Sequence, residues 1–271
     1  MMKRIRKPAV AGSFYPSDPG VLRTTVVTLL AEARGWHGAA PLALVAPHAG
    51  YVYSGPVAAS AYACLKPFRE RYRRVVLLGP AHRAAVRGIA LPDVDAFASP
   101  LGEVALDRET MDALDDPDVM VDDAAHRLEH SLEVQLPFLQ VMLNRFRLVP
   151  LLIGAAAPRA VTRVIERLWT SPDTLIVVST DLSHYLPHAE ARQRDHATCR
   201  AIEELTGEAL TGQDACGAAP LKGLLLAAER RGLAVRTLDL RNSGDTAGDR
   251  AQVVGYGAWI FTGEDTCVNA A

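Results

Sequence analysis

Three apolar runs that each break at a polar tip constrain this chain more than any other feature. Leu42–Ala46 leads into Pro47-His48, then a turn carrying Gly50, Tyr51 and Tyr53, with Ser54-Gly55-Pro56 before an Ala-rich stretch. Val75–Leu78 leads into Gly79-Pro80-Ala81-His82, and Leu175–Val178 into Ser179-Thr180-Asp181-Leu182-Ser183-His184. Short apolar runs bounded by Gly and Pro read as strands buried on both faces, the kind that fill parallel sheets. In open α/β sheets, ligands bind outside the carboxyl ends of such strands. Histidines at three strand ends are therefore expected to share one crevice.

Between these runs, helical and strand patterns alternate. Asp18-Pro19 opens a helix to about Arg34, with Leu22, Val26, Leu29 and Leu30 at helical spacing. A second helix is expected from Pro56 to about Leu65, a short strand at Ile89–Leu91, a short hairpin-type segment at Ser99–Asp107, and a helix from about Arg108. Ala125–Met142 reads as helical, placing His130 and Glu133 on one face, with Pro137 ending or kinking it. Leu148–Ile153 is a strand and Arg159–Trp169 a helix. Helices at Glu190–Leu205 and Leu221–Arg231 and strands at Val235–Leu240 and Gln252–Phe261 follow. With no Gly/Ser linker, repeat or low-complexity block, residues 1–271 read as one α/β domain. Its largely parallel or mixed central sheet carries helices on both faces. Residues 1–20, with Phe14-Tyr15 among prolines, form an ordered arm, and 263–271 a flexible tail.

At 271 residues, with 49% hydrophobic and 22% charged residues, the chain can bury a sizeable core. A net charge of −2 provides no global field for nucleic acid or an anionic membrane. No apolar run approaches the roughly 18 residues of a membrane span. Four cysteines without C-x-x-C pairing suit a reducing cytoplasm.

A lone histidine is ordinarily a satisfied core or turn residue. Two of them, His48 and His82, at equivalent strand ends make a metal site the sharper reading. Cys216, just ahead of the Leu221 helix, is either a small buried residue or a third ligand drawn toward thiolate by the helix N-terminus. Cys64, Cys199 and Cys267 read as inert, and His126, His188 and His196 as surface residues. The run Ser179–His184 serves either as capping chemistry, with Asp181 or Ser183 satisfying a helix start, or as an Asp181-His184 couple for proton transfer. A Ser-His-Asp hydrolase would use the same residues, but the chain has no G-x-S-x-G elbow. It also has no G-x-x-x-x-G-K-[ST] loop.

AGSFYP, APHAGYVYSG, LLGPAHR, EHSLEVQLPFL, VVSTDLSHY and ACGAAPLKGLL, in that order, resemble the signature blocks of the Memo family. Its bacterial and archaeal members are known as AmmeMemoRadiSam system protein B. The resemblance runs from about Pro8 to Phe261 and implies the fold of class III, LigB-type extradiol dioxygenases. It also implies a metal held by His48, His82 and Cys216, with His184 as pocket acid/base, Asp181 beside it and Tyr53 in the pocket. Phe14 stands where the eukaryotic member has tryptophan, which keeps an aromatic wall and loses an indole N–H. That loss speaks against carrying over phosphotyrosine-peptide binding.

The reading that follows is a non-haem metal-dependent oxidoreductase with a two-His, one-Cys site. Iron or copper is the expected cofactor and zinc the alternative, since a thiolate favours softer metals. Phe14, Tyr53, His130 and Glu133 are expected to wall the pocket. A non-catalytic metal- or peptide-binding protein that keeps the fold is the competing reading, and a zinc hydrolase is a third. Expected partners are a small molecule or peptide in the crevice, and AMMECR1-like and radical-SAM proteins.

Overall fold

The computed structural model describes residues 3–263, so Cys267 and nearly all of the 263–271 segment lie outside it. The chain enters as β1 (Ile5–Arg6) and passes to α1 (Pro19–Glu32), where the Val21 amide donates to the Asp18 carboxylate at 2.8 Å. This cap, with Pro in the first turn, starts the helix where the residues indicate. There follow β2 (Ala43–Ala46), α2 (Tyr51–Tyr62), β3 (Arg74–Pro80), β4 (Ile89–Leu91), β5 (Ala96–Ser99) and β6 (Gly102–Ala105). Next come α3 (Arg108–Asp112), β7 (Val119–Val121), α4 (Asp123–Arg127), α5 (Leu136–Met142), β8 (Arg147–Ile153) and α6 (Pro158–Leu168). The chain then forms β9 (Thr174–Ser179), β10 (His184–Leu186), α7 (His188–Glu203), α8 (Ala218–Arg230), β11 (Ala234–Asn242) and β12 (Val253–Thr262).

The main sheet runs β10-β12-β2-β9-β3-β8-β4-β7, with β11 also paired to β12. Its centre, β2-β9-β3-β8, is parallel, and β12 and β4 flank that centre antiparallel. Every residue of β2 and β9 is buried. Helices α1, α2 and α5 pack together over β2 and β12, while α6, α7 and α8 cover β3, β9, β11 and β12. The sheet is mixed with a parallel heart, as the unbroken apolar runs require. A small second sheet, β1-β5-β6, ties the amino-terminal arm to the body.

Two local expectations are corrected. Helix α2 starts at Tyr51 and keeps Pro56 inside it. Tyr51 is buried and its hydroxyl donates to the Val134 carbonyl at 2.6 Å, an anchor that outweighs the proline signal. The expected Ala125–Met142 helix is broken. Helix α4 ends at Arg127, residues 128–132 are irregular, a 3₁₀ turn spans Glu133–Gln135, and Pro137 lies in the first turn of α5. Proline is favoured there because the first turn needs no N–H from it.

Candidate metal centre

Strands β2, β9 and β3 are adjacent and parallel, so Ala46, Ser179 and Pro80 end at one edge of the sheet. His48, Asp181 and His82 follow those ends directly. The third imidazole comes from the irregular segment between α4 and α5. Ser131 Oγ donates to the Pro80 carbonyl at 2.8 Å, and the Ser131 carbonyl accepts from Ser179 Oγ at 2.6 Å. These bonds lay the segment across β3 and β9. Gly79 permits it, since a Cβ there would stand 2.8 Å from Leu132 Cδ2 and 2.9 Å from Ser131 Oγ.

The result is a triangle of imidazoles. Ring centroids are 5.2 Å apart for His48–His82, 5.4 Å for His48–His130 and 4.9 Å for His82–His130. One nitrogen from each lies within 4.8 Å of the other two. The converging set among the described residues is thus His48, His82 and His130, rather than His48, His82 and Cys216. Cys216 packs beside His48, with Sγ 3.3 Å from Nε2.

Hydrogen bonds assign the ring protons. Ser179 Oγ uses its single hydrogen on the Ser131 carbonyl and accepts from Gln135 Nε2 at 2.8 Å. It must therefore accept from His48 Nδ1–H at 3.0 Å, leaving Nε2, 3.3 Å from Cys216 Sγ, as the lone-pair nitrogen. His82 Nδ1–H donates to Glu129 Oε1 at 3.1 Å, with the same consequence. His130 Nδ1 lies 3.1 Å from that oxygen, without hydrogen-bond alignment. A carboxylate behind metal-binding histidines fixes tautomer and ring orientation. The donor set fits a transition metal.

Electrostatics agree. Burial, aided by His130 and His82, pushes His48 down to about 4 against the pull of Asp181, keeping the imidazole neutral and able to ligate. Burial opposes ionisation of Glu129, but His130, His82 and the amides of Ser131 and His82 overcome it and hold the carboxyl far below its usual range. The Cys216 thiol is pushed up to about 12 by burial and by Asp181. The thiolate expected from the helix start is overruled by those two effects.

A cavity of about 660 Å³ opens beside the triangle, lined among others by Phe14, Tyr53, Asp181, His184 and Arg83. Phe14 lies 4.7 Å from the His130 ring. Glu133 does not line this cavity: it is fully buried beneath the amino-terminal arm, where it pairs with Arg6 and accepts from the Ala9 amide at 2.8 Å and Tyr15 Oη at 2.5 Å. Without a helix, His130 and Glu133 point apart. Asp181 accepts from the His48 amide at 2.7 Å, and His184 Nδ1 donates to the Leu182 carbonyl at 2.8 Å. No hydrogen bond joins Asp181 to His184 among the described residues, so the expected couple is not formed. His126, expected at the surface, is buried with Nε2 donating to the Ala90 carbonyl at 2.9 Å, because α4 turns it against β4.

The Memo-like protein family profile matches residues 6–260. The chain belongs to the Memo family. A MEMO1 family protein of Aquifex aeolicus is 37% identical over 95% of this chain and 99% of its own length. One from Aeropyrum pernix is 36% identical over 94% and 99%. Among solved structures, an uncharacterized protein of Escherichia coli K12 superposes with a TM-score of 0.51 over 80% of this chain and 98% of its own. At 15% identity, that likeness concerns the fold.

Two residues central to this Memo site escaped the sequence reading. Glu129 stands in the EHSLEVQLPFL block but read as a helix residue. Ser179 stood in the polar tip of the third apolar run with no role of its own. The adjacency of Glu129 and His130 was the available signal, and the tertiary path of 128–132 gives it meaning.

Proposed function

We propose that the crevice is a transition-metal centre of an oxidoreductase acting on a small oxidisable molecule, with iron or copper on His48, His82 and His130. The carrying observation is the convergence of three imidazoles at the carboxyl edge of the parallel strands, two of them against Glu129. A bound metal of this kind supplies one-electron chemistry toward dioxygen or substrate, and imidazole suits iron, copper and zinc alike. The chain's own residues do the rest. Glu129 and Ser179 orient the imidazoles. Asp181 fixes the His48 backbone. His184, its Nδ1–H tied to a carbonyl, keeps Nε2 as the atom that takes or returns a proton. Phe14 and Tyr53 flank the bound molecule.

A specific observation favours a second reading, a non-catalytic metal- or peptide-binding protein. Asp181 is engaged by the His48 amide and His184 is backed by the Leu182 carbonyl, so the two do not form a hydrogen-bonded pair for proton transfer. We extend the proposal to AMMECR1-like and radical-SAM partner proteins, for which co-purification with the tagged chain is the test.

Metal content decides between ligand sets. Protein purified anaerobically without chelator should carry near-stoichiometric iron or copper. Both His48→Ala and His130→Ala should lose it, and Cys216→Ser should keep most of it. Loss in Cys216→Ser with retention in His130→Ala would restore the two-His, one-Cys set. A metal-free parent would leave the cavity as a ligand pocket.

A further inference from the structure

The buried guanidinium of Arg6 serves main-chain groups of the segment that carries the site. Its Nε donates to the His126 carbonyl at 2.9 Å and its Nη2 to the Glu129 carbonyl at 2.5 Å, while Nη1 pairs with Glu133. Residues 128–132 belong to no helix or strand, so the charge-assisted bond to the Glu129 carbonyl restrains that backbone directly, and the bond to His126 ties down the end of α4 just before it. The Glu129 carboxylate in turn accepts from the amides of His82, Arg83, His130 and Ser131 and from His82 Nδ1. Further along the same arm, the Phe14 carbonyl accepts from the Tyr51 amide at 2.8 Å and its ring lies against His130. One arm thus grips two of the three imidazoles, one through Glu129 and one directly.

We propose that Arg6 is a positioning residue of the metal centre, acting through Glu129, and that docking of the amino-terminal arm and metal binding are coupled. This rests on the metal-centre reading above. Coupling between two binding events is reciprocal: if the docked arm raises metal affinity, metal must stabilise the docked arm by the same factor. An arm that merely adds stability would show no such exchange.

The test uses the intact protein with cobalt(II) as the probe. Hydrogen exchange at residues 5–15 should slow when cobalt binds. Arg6→Met combined with Glu133→Gln, which removes both buried charges together, should weaken cobalt about 10-fold or more, the range for groups that orient ligands. Phe14→Ala, which leaves the Arg6 contacts in place, should weaken it by a smaller factor. Arg4→Ala, which breaks only the exposed pair with Asp93, should bind as the parent does. Arm exchange indifferent to cobalt, or parental affinity in the folded double variant, overturns the proposal and leaves the metal centre standing. Equal losses in Arg4→Ala and the double variant overturn the specific role of Arg6. A parent that binds no cobalt overturns both readings. If the double variant does not fold, exchange in the parent decides alone.

Discussion

Glu129 shows how one buried side chain organises a site. It is 2% exposed and ionised, which is costly for a lone carboxylate, yet four amides and two imidazoles surround it. Glu129→Ala should therefore lower metal affinity by roughly 10–100-fold, read by chelator competition, with His48→Ala as the reference for full loss. Glu133 is the contrasting acid. Its partners are Arg6, two arm amides and Tyr15, and none lies in the cavity. Glu133→Ala strands a buried guanidinium and should cost about 3–5 kcal/mol in denaturant unfolding. A pocket-wall Glu133 would instead leave stability near the parent value.

At the scale of elements, the site depends on one crossing, where residues 131–132 pass over the tip of β3. Gly79→Ala sets a methyl against Leu132 and the Ser131 hydroxyl. Overpacking of this sort costs about 1–3 kcal/mol. It should also lower metal affinity, because the displaced segment carries His130. A variant that loses stability while keeping full metal affinity would show that the crossing does not position the ligand. The strands beneath are less sensitive to detail, since four adjacent parallel strands hold the tips of β2, β9 and β3 in fixed register.

For the whole molecule, acid should be destabilising for a definable reason. Burial pushes His126 down to about 4, and its hydrogen bond to Ala90 only partly offsets this; His48 is lowered to about 4 as well. The unfolded chain protonates these rings near pH 6.5, whereas the folded chain resists until about pH 4. Unfolding thus takes up protons between those values. Stability is full above about pH 6.5 and falls as the pH drops toward 4, by about 3 kcal/mol for His126 alone. Urea midpoints of metal-free protein at pH 7.5 and 4.5 check this, and equal midpoints would contradict it. No described helix is long and apolar enough to cross a membrane.

The sequence by itself determined the central strands, most helices and the edge on which His48, His82 and Asp181 sit, because unbroken apolar runs can be satisfied only inside a covered sheet. It also carried the family, through blocks spread along the chain. Only the tertiary structure decided which donors meet. Residues 128–132 have no periodicity that marks their path, and Ser131, Gly79 and Arg6 route them across the sheet edge through contacts distant in sequence. His130 joins the triangle and Glu133 leaves the pocket for that reason. The protonated thiol of Cys216 and the engagement of Asp181 with His48 were likewise beyond local pattern, since burial and a partner's approach are properties of the packed molecule.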